Sequence, residues 1–337
     1  MNNLKKVGLT ALAGSLAAVS AHAAEMTVSG ATLLTYTSED TSETTGNPFG
    51  MKTNIGFTAS GDVNGMTVSY MQTSIDQFAG MSSARLSIDM GDMGTLAFDQ
   101  GSGSGLATID DKTPTAAEEI WDGLDTDGTN GANGLVGAAG NSGVFNYIKS
   151  MGGVTLNAAA RKGSGAKSGD GASSGAGQGG WDFALTGSGE MIGLDGLSWG
   201  AGYGEAENGE EGAGAAHNAS NENEHMTAFL NYALGPVTVG YQQSHIAVQS
   251  ADGVDQNVKA WGVAFNVNDD LAISYGDREV EFENPSAADI TENGDGIAVS
   301  YTMGSMKIAG NRNEVTDNDG TTGSNDQMTE VAVSFAF

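Results

Sequence analysis

Carboxylates dominate the chain's charge, with 42 Asp and Glu against 13 Lys and Arg and a formal charge of −29. Asp110, Asp111, Glu118, Glu119, Asp122, Asp125 and Asp127 crowd into residues 101–142, a stretch far longer than a hairpin connection needs. Other reactive groups are sparse. The chain has no cysteine, which excludes disulfides, zinc–cysteine sites and thiol nucleophiles. Beyond the amino-terminal segment the histidines are His217, His225 and His245, and no His-Glu-x-x-His helix or Gly-x-Ser-x-Gly elbow accompanies them. Ser244 and His245 are adjacent, so on a strand they face opposite ways and cannot form a dyad. Gly163-Ser164-Gly165-Ala166-Lys167-Ser168 resembles a phosphate loop but has Ala166 where the second glycine is required. Asp125-Thr126-Asp127-Gly128 and Asp317-Asn318-Asp319-Gly320 resemble calcium loops, with Gly123 and Val315 at the first-ligand positions. These patterns predict no enzyme and no cofactor, leaving weak Ca²⁺ binding at the acidic loops as the alternative. Nucleic acid is excluded as a partner, because phosphate binding rests on clusters of Lys and Arg.

The elements that must carry these residues begin with an export signal. Lys5 and Lys6 precede an apolar run from Val7 to Val19, and Ala21-His22-Ala23 supplies a small-x-small cleavage site. Residues 1–23 are thus expected to be removed, leaving 24–337 as one structural unit. The apolar run is too short to span a membrane as a helix, and no apolar stretch long enough follows it.

Period-two alternation recurs instead. In Ser83-Ala84-Arg85-Leu86-Ser87-Ile88-Asp89-Met90, Ala, Leu, Ile and Met share one face and Ser, Arg, Ser and Asp the other. Val154, Leu156, Ala158 and Ala160 alternate with Thr155, Asn157, Ala159 and Arg161, and Ile297, Val299 and Tyr301 with Ala298, Ser300 and Thr302. The second face is small and polar, as a wet lumen requires, while the apolar face carries Trp181, Phe183, Trp199, Tyr203, Tyr232, Tyr241, Trp261 and Phe265 near strand ends, like an interfacial girdle.

Sixteen such strands can be placed, near 26–37, 51–60, 65–73, 82–90, 94–100, 143–150, 153–162, 180–190, 196–206, 223–233, 236–247, 256–267, 270–282, 292–302, 305–315 and 327–337. Tight turns such as Gly61-Asp62-Val63-Asn64, Met151-Gly152, Leu234-Gly235 and Met303-Gly304 alternate with longer polar connections such as 38–50, 163–179, 207–222 and 316–326. Only helices and closed barrels satisfy their backbone groups in lipid. The pattern therefore predicts an all-β, sixteen-stranded antiparallel transmembrane barrel with short turns at one end and long loops at the other.

The last strand, Val331-Ala332-Val333-Ser334-Phe335-Ala336-Phe337, puts Val, Val, Phe and Phe on one face and ends on an aromatic residue. Together with Met26 to Leu33 and Asp89 to Phe98, it resembles the trimeric general porins of the Gram-negative outer membrane, especially the alphaproteobacterial type. The resemblance implies a homotrimeric water-filled channel for small hydrophilic solutes and ions, and Phe337 as part of a signal read by the outer-membrane assembly machinery. It also implies that residues 101–142, the third long loop, fold into the pore as a constriction lined by the seven carboxylates above, opposed by basic residues on the barrel wall.

Strand parity turns Lys52, Arg85 and Arg161 inward, and Arg278 and Lys307 as well; Lys149 shares the parity of Phe145 and Tyr147. An excess of acid over base predicts cation preference. The outer loops hold further acid, including Glu205, Glu207, Glu210 and Glu211, read as solvated tips with cation bridging to lipopolysaccharide as the alternative. A secreted acidic β-solenoid or adhesin is the competing architecture, but it would show a fixed Gly-Asp period that this chain lacks.

Overall fold

A computed structural model describes residues 25–40, 45–75, 80–124, 142–163, 179–207, 222–249 and 253–337. The amino-terminal segment read as an export signal lies outside the described residues, as do Asp125 and Asp127.

The chain forms β1 (Glu25–Asp40), β2 (Phe49–Val63), β3 (Met66–Ile75), β4 (Gly80–Asp89), β5 (Thr95–Gln100), β6 (Ser142–Met151), β7 (Val154–Arg161) and β8 (Gly180–Ser188). It continues through β9 (Leu197–Glu207), β10 (Glu222–Leu234), β11 (Val237–Ala247), β12 (Asp255–Asn266), β13 (Leu271–Glu283), β14 (Ile290–Met303), β15 (Met306–Thr316) and β16 (Asp326–Ala336). Each strand pairs antiparallel with its neighbours in sequence, and β1 pairs with β16 to close the barrel. Closure leaves no unpaired edge to face hydrocarbon, which is what permits a sheet to cross a membrane.

Local chemistry explains the turns. Asn64 and Gly65 both have positive φ (55° and 81°), the backbone that a two-residue hairpin needs to match strand twist. Tight connections of this kind fall at one end and longer ones at the other. The lengths overlap where β3 and β4 are joined across 76–79 alone, because strand pairing runs on into residues expected to be loop. At the opposite end, Gly189–Ile192 coils into a short 3-10 turn, which makes the β8–β9 connection the longest of the tight set.

Cross-strand register separates the two faces. Tyr36, Phe49, Leu86, Trp181, Tyr241, Trp261, Ile297, Val331 and Phe335 stand among the exposed apolar residues of the outer wall. Along β14 the alternation is complete, with Thr291, Asn293, Asp295, Ile297, Val299 and Tyr301 exposed and Glu292, Gly294, Gly296, Ala298 and Ser300 buried. What covers the second face is the chain itself. Leu106 and Ile109 pack with Ala184 and Phe229, and Leu124 packs with Val315 and Met328, so two of the buried apolar clusters join the inner wall to residues 105–124, while Val258, Val280 and Phe282 form another within the wall.

The carboxyl end completes the seam. Gly30 and Phe337 exchange two main-chain hydrogen bonds of 2.8 and 2.9 Å, and a Cβ on Gly30 would lie 3.1 Å from the Phe337 ring.

Candidate conduction site

The inner segment starts where β5 ends. Asp99, inward and wholly buried, accepts the Ser104 hydroxyl at 2.8 Å and lies 3.3 Å from Arg85 Nε. Arg85 in turn donates to the Gly103 carbonyl (2.6 Å) and the Ser104 hydroxyl (3.1 Å). The inward direction expected of Arg85 is therefore realised at the root of the loop, where its guanidinium holds main chain as well as facing the lumen.

From there a series of inward wall side chains grips the loop backbone. Asn157 accepts the Gly105 N–H at 3.0 Å, and Asp182 the Leu106 N–H at 2.9 Å. Gln242 donates to the carbonyls of Ile109 (3.1 Å) and Asp110 (2.7 Å) and accepts the Lys112 N–H at 2.7 Å. Asn231 donates to the Lys112 carbonyl (2.7 Å), and Ser274 accepts the Ala116 N–H (2.8 Å). Asn313 donates to the carbonyls of Glu119 and Asp122 at 3.1 and 2.9 Å. A buried irregular backbone must find partners for its polar groups, and here the wall supplies them.

Between these contacts the wall is bare. A Cβ on Gly262 would lie 2.7 Å from the Pro114 carbonyl oxygen, and one on Gly276 or Gly296 would lie 2.9 Å from Ile120 Cγ2. The absence of side chains is what lets the loop lie flat against β11–β14. The segment thus starts against Arg85 of β4, crosses the inner faces of β7 to β16 and makes no such hydrogen bond to β1, β2 or β3 among the described residues.

Five of the carboxylates singled out in the sequence ride on this described segment. Asp111 and Glu118 are exposed; Asp110, Glu119 and Asp122 are half-buried. Burial pushes the Asp110 carboxyl up to about 7, and its hydrogen bond to Asp111 adds to the rise. Burial opposes ionisation of Asp111 too, but hydrogen bonding with Asp110 and the nearby Lys112 ammonium prevail and lower its pKa. Glu119 is raised, chiefly by burial, and also feels Asp111 and Glu118. Asp122 is pushed up to about 6 by burial, Glu118 and Glu330, against the opposing pull of Lys52. Two like-charged groups in one site cannot ionise freely together, so Asp111 ionises first and Asp110 holds its proton longer.

Of the basic residues, Lys52 faces the lumen from β2 and its charge reaches Asp122. Arg161 is inward at the end of β7 and half-buried. Arg278 is inward as parity requires, but it is 1% exposed and ion-paired with Glu292, beneath the loop and away from the water path. Lys149 points outward and donates to the Asp92 carbonyl at a tight turn. Ser244 and His245 do face opposite ways, Ser244 inward to Thr227 (2.6 Å) and His245 outward to Asn257 (2.7 Å). In the calcium-like loop, Asp317 Oδ1 accepts the Gly323 N–H at 2.6 Å, so that carboxylate closes its own loop.

Sequence reading passed over the wall residues that seat the loop: Asn157, Asp182, Asn231, Gln242, Ser274 and Asn313. It also passed over Lys112, a cation set among the acids. The available signal was an amide or carboxylate at inward parity in strands otherwise lined by Gly, Ala and Ser.

A closed antiparallel barrel, greasy outside and polar inside, with one long segment laid along its inner wall, is the architecture of an outer-membrane channel. Residues 8–337 match the model of the Gram-negative porin family, and the chain belongs to that family. Among solved structures it is similar to the loop-L8 deletion mutant of OmpT, an outer membrane protein of Vibrio cholerae, with TM-score 0.68 and 15% identity over 94% of this chain and 100% of that one. It is similar to the trimer form of in-vitro folded OmpT from the same organism (TM-score 0.65, 14% identity, 94% and 100% covered). A multiple-substitution mutant of Rh. blastica porin gives TM-score 0.60 at 15% identity, with 93% and 100% covered. No curated protein sequence matches. The chain is an outer-membrane protein that provides a channel for passive diffusion.

Proposed function

We propose that residues 101–142 are the constriction of a cation-preferring, general-diffusion pore. Asp110, Asp111, Glu118, Glu119 and Asp122 form its acidic side, to which the sequence adds Asp125 and Asp127 outside the described residues; Lys52 supplies positive charge from β2, Arg85 at the root of the loop and Arg161 from β7. The observation that carries this reading is the placement of five carboxylates on the wall-bound segment, with Lys52 close enough for its charge to act on Asp122. Charges of opposite sign across a narrow opening with low-dielectric walls focus the field on whatever passes. Carboxylates in excess raise the local cation concentration and lower the barrier to cations. No cofactor takes part.

Reversal potentials in planar bilayers under a KCl gradient test the selectivity: cation preference is expected, and anion preference would overturn it. The same reading makes the protein a homotrimer processed after residue 23, delivered through an assembly signal that includes Phe337, and surrounded by lipopolysaccharide and other outer-membrane lipid. A heat-modifiable trimer band from detergent-extracted membranes checks the oligomer.

A further inference from the structure

One pair of wall residues ties the inner loop to an outer one. Arg278 on β13 and Glu292 on β14 form an ion pair in which both side chains are essentially unexposed, at 1% and 0%. Neither touches the water path. The Arg278 guanidinium carbon lies 5.3 Å from the centroid of the Trp121 ring, on the inner loop one residue before Asp122. The other oxygen of Glu292, Oε2, accepts the main-chain N–H of Asp319 at 2.8 Å, in the connection between β15 and β16. Asp319 has positive φ (51°), so this N–H is aimed by an uncommon backbone conformation.

We infer that the Arg278–Glu292 pair is a positioning device that couples the outer loop at 317–325 to the distal limb of the constriction loop, and so sets where Glu119 and Asp122 stand. A buried ion pair is not a good way to stabilise a barrel, since apolar residues of similar volume do as well or better. What it provides is direction. Glu292 has two oxygens and uses one for the guanidinium and the other for the outer loop; Arg278 sets its guanidinium over the face of an indole while one of its nitrogens is held by Glu292. Moving either loop therefore pulls on the same two side chains. The rest of the distal limb shares this seat, because Asn313 holds the carbonyls of Glu119 and Asp122 from the strand that leads into the outer loop.

The inference rests on the reading of residues 101–142 as the constriction, and the experiment separates the two. Reversal potential and open-channel noise would be recorded for Arg278→Lys, Glu292→Gln, Trp121→Leu and the Glu292→Gln/Trp121→Leu double variant, with Asp122→Asn as the control on the constriction. Arg278→Lys keeps the charge but loses the planar face, and is expected to lower the cation-to-anion permeability ratio at least twofold and raise the noise. Glu292→Gln is expected to do the same, and to add nothing once Trp121 is Leu, since the path then is already cut. The doubly substituted Arg278→Met/Glu292→Met leaves no buried charge unpaired, so it keeps the test open if the single variants fail to fold. It should form a heat-modifiable barrel with altered selectivity. Wild-type selectivity and noise in Arg278→Lys and Arg278→Met/Glu292→Met, with a clear shift in Asp122→Asn, would overturn the coupling alone. No shift in Asp122→Asn would overturn the constriction reading beneath it. Additive effects of Glu292→Gln and Trp121→Leu would overturn the route through Arg278.

Discussion

At the scale of single residues, Asp122 and Asp110 are the informative pair. Their pKa values are raised to about 6 and about 7, so both gain charge as pH rises from 5 to 8. Cation preference should therefore strengthen over that window and weaken toward pH 5, read as a shift in reversal potential. Asp110→Asn and Asp122→Asn should flatten the dependence, each removing the part nearest its own midpoint. Stability runs the other way. A carboxyl whose folded pKa lies above its unfolded value of 3.8 makes the folded state bind the extra proton, so folding is favoured at low pH and loses that contribution as pH climbs through about 7. Thermal unfolding in detergent at pH 5 and pH 8 checks this sign, with the midpoint expected to be less pH-dependent in Asp110→Asn. That these positions are acidic was legible in the sequence. That Asp110 is raised and Asp111 lowered by their mutual hydrogen bond was not, because it depends on how the loop backbone turns beneath them.

At the scale of the element, the loop is defined by its seat. Gly262 and Gly276 are ordinary inward positions by parity, but Pro114 and Ile120 fill the space a side chain would take. Gly262→Val should push the loop toward the lumen, since the backbone carbonyl it meets cannot rotate aside, and single-channel conductance should fall while the barrel still folds. Gln242→Ala makes a complementary case. It strips partners from Ile109, Asp110 and Lys112, and each buried polar group left unsatisfied costs about 1–3 kcal/mol. Faster proteolytic nicking within 101–124 is the expected readout; protection equal to the parent would refute the assignment. The length and acidity of the loop could be read from the sequence, but its course across β7 to β16 could not, because single Asn, Gln and Ser side chains spaced over ten strands make no local pattern.

At the scale of the whole molecule, the two faces set the rules for substitution. Val299 and Ser300 are neighbours in sequence and lie on opposite sides of β14. Val299→Arg places a cation in hydrocarbon and should cost about 2–4 kcal/mol near the membrane midplane, measured as lost folding efficiency into lipid vesicles. Ser300→Arg should be tolerated far better and shift selectivity toward anions. The seam gives a further case: deleting Phe337 removes its two main-chain bonds to Gly30, and the folded band on a semi-native gel should convert at lower temperature. Strand number, the inward and outward assignment of Lys52, Arg85 and Arg161, and closure onto an aromatic end all follow from period two and from turn residues, which act over a few neighbours and so are written locally. Which strands the inner segment lies against, which basic residues are engaged at its root or beneath it, and how an outer loop meets it through Arg278 and Glu292 arise from contacts between different elements, up to 194 positions apart for Asn313 and Glu119. Those contacts come into being only when the ring closes and brings its inner faces within reach of one short piece of chain.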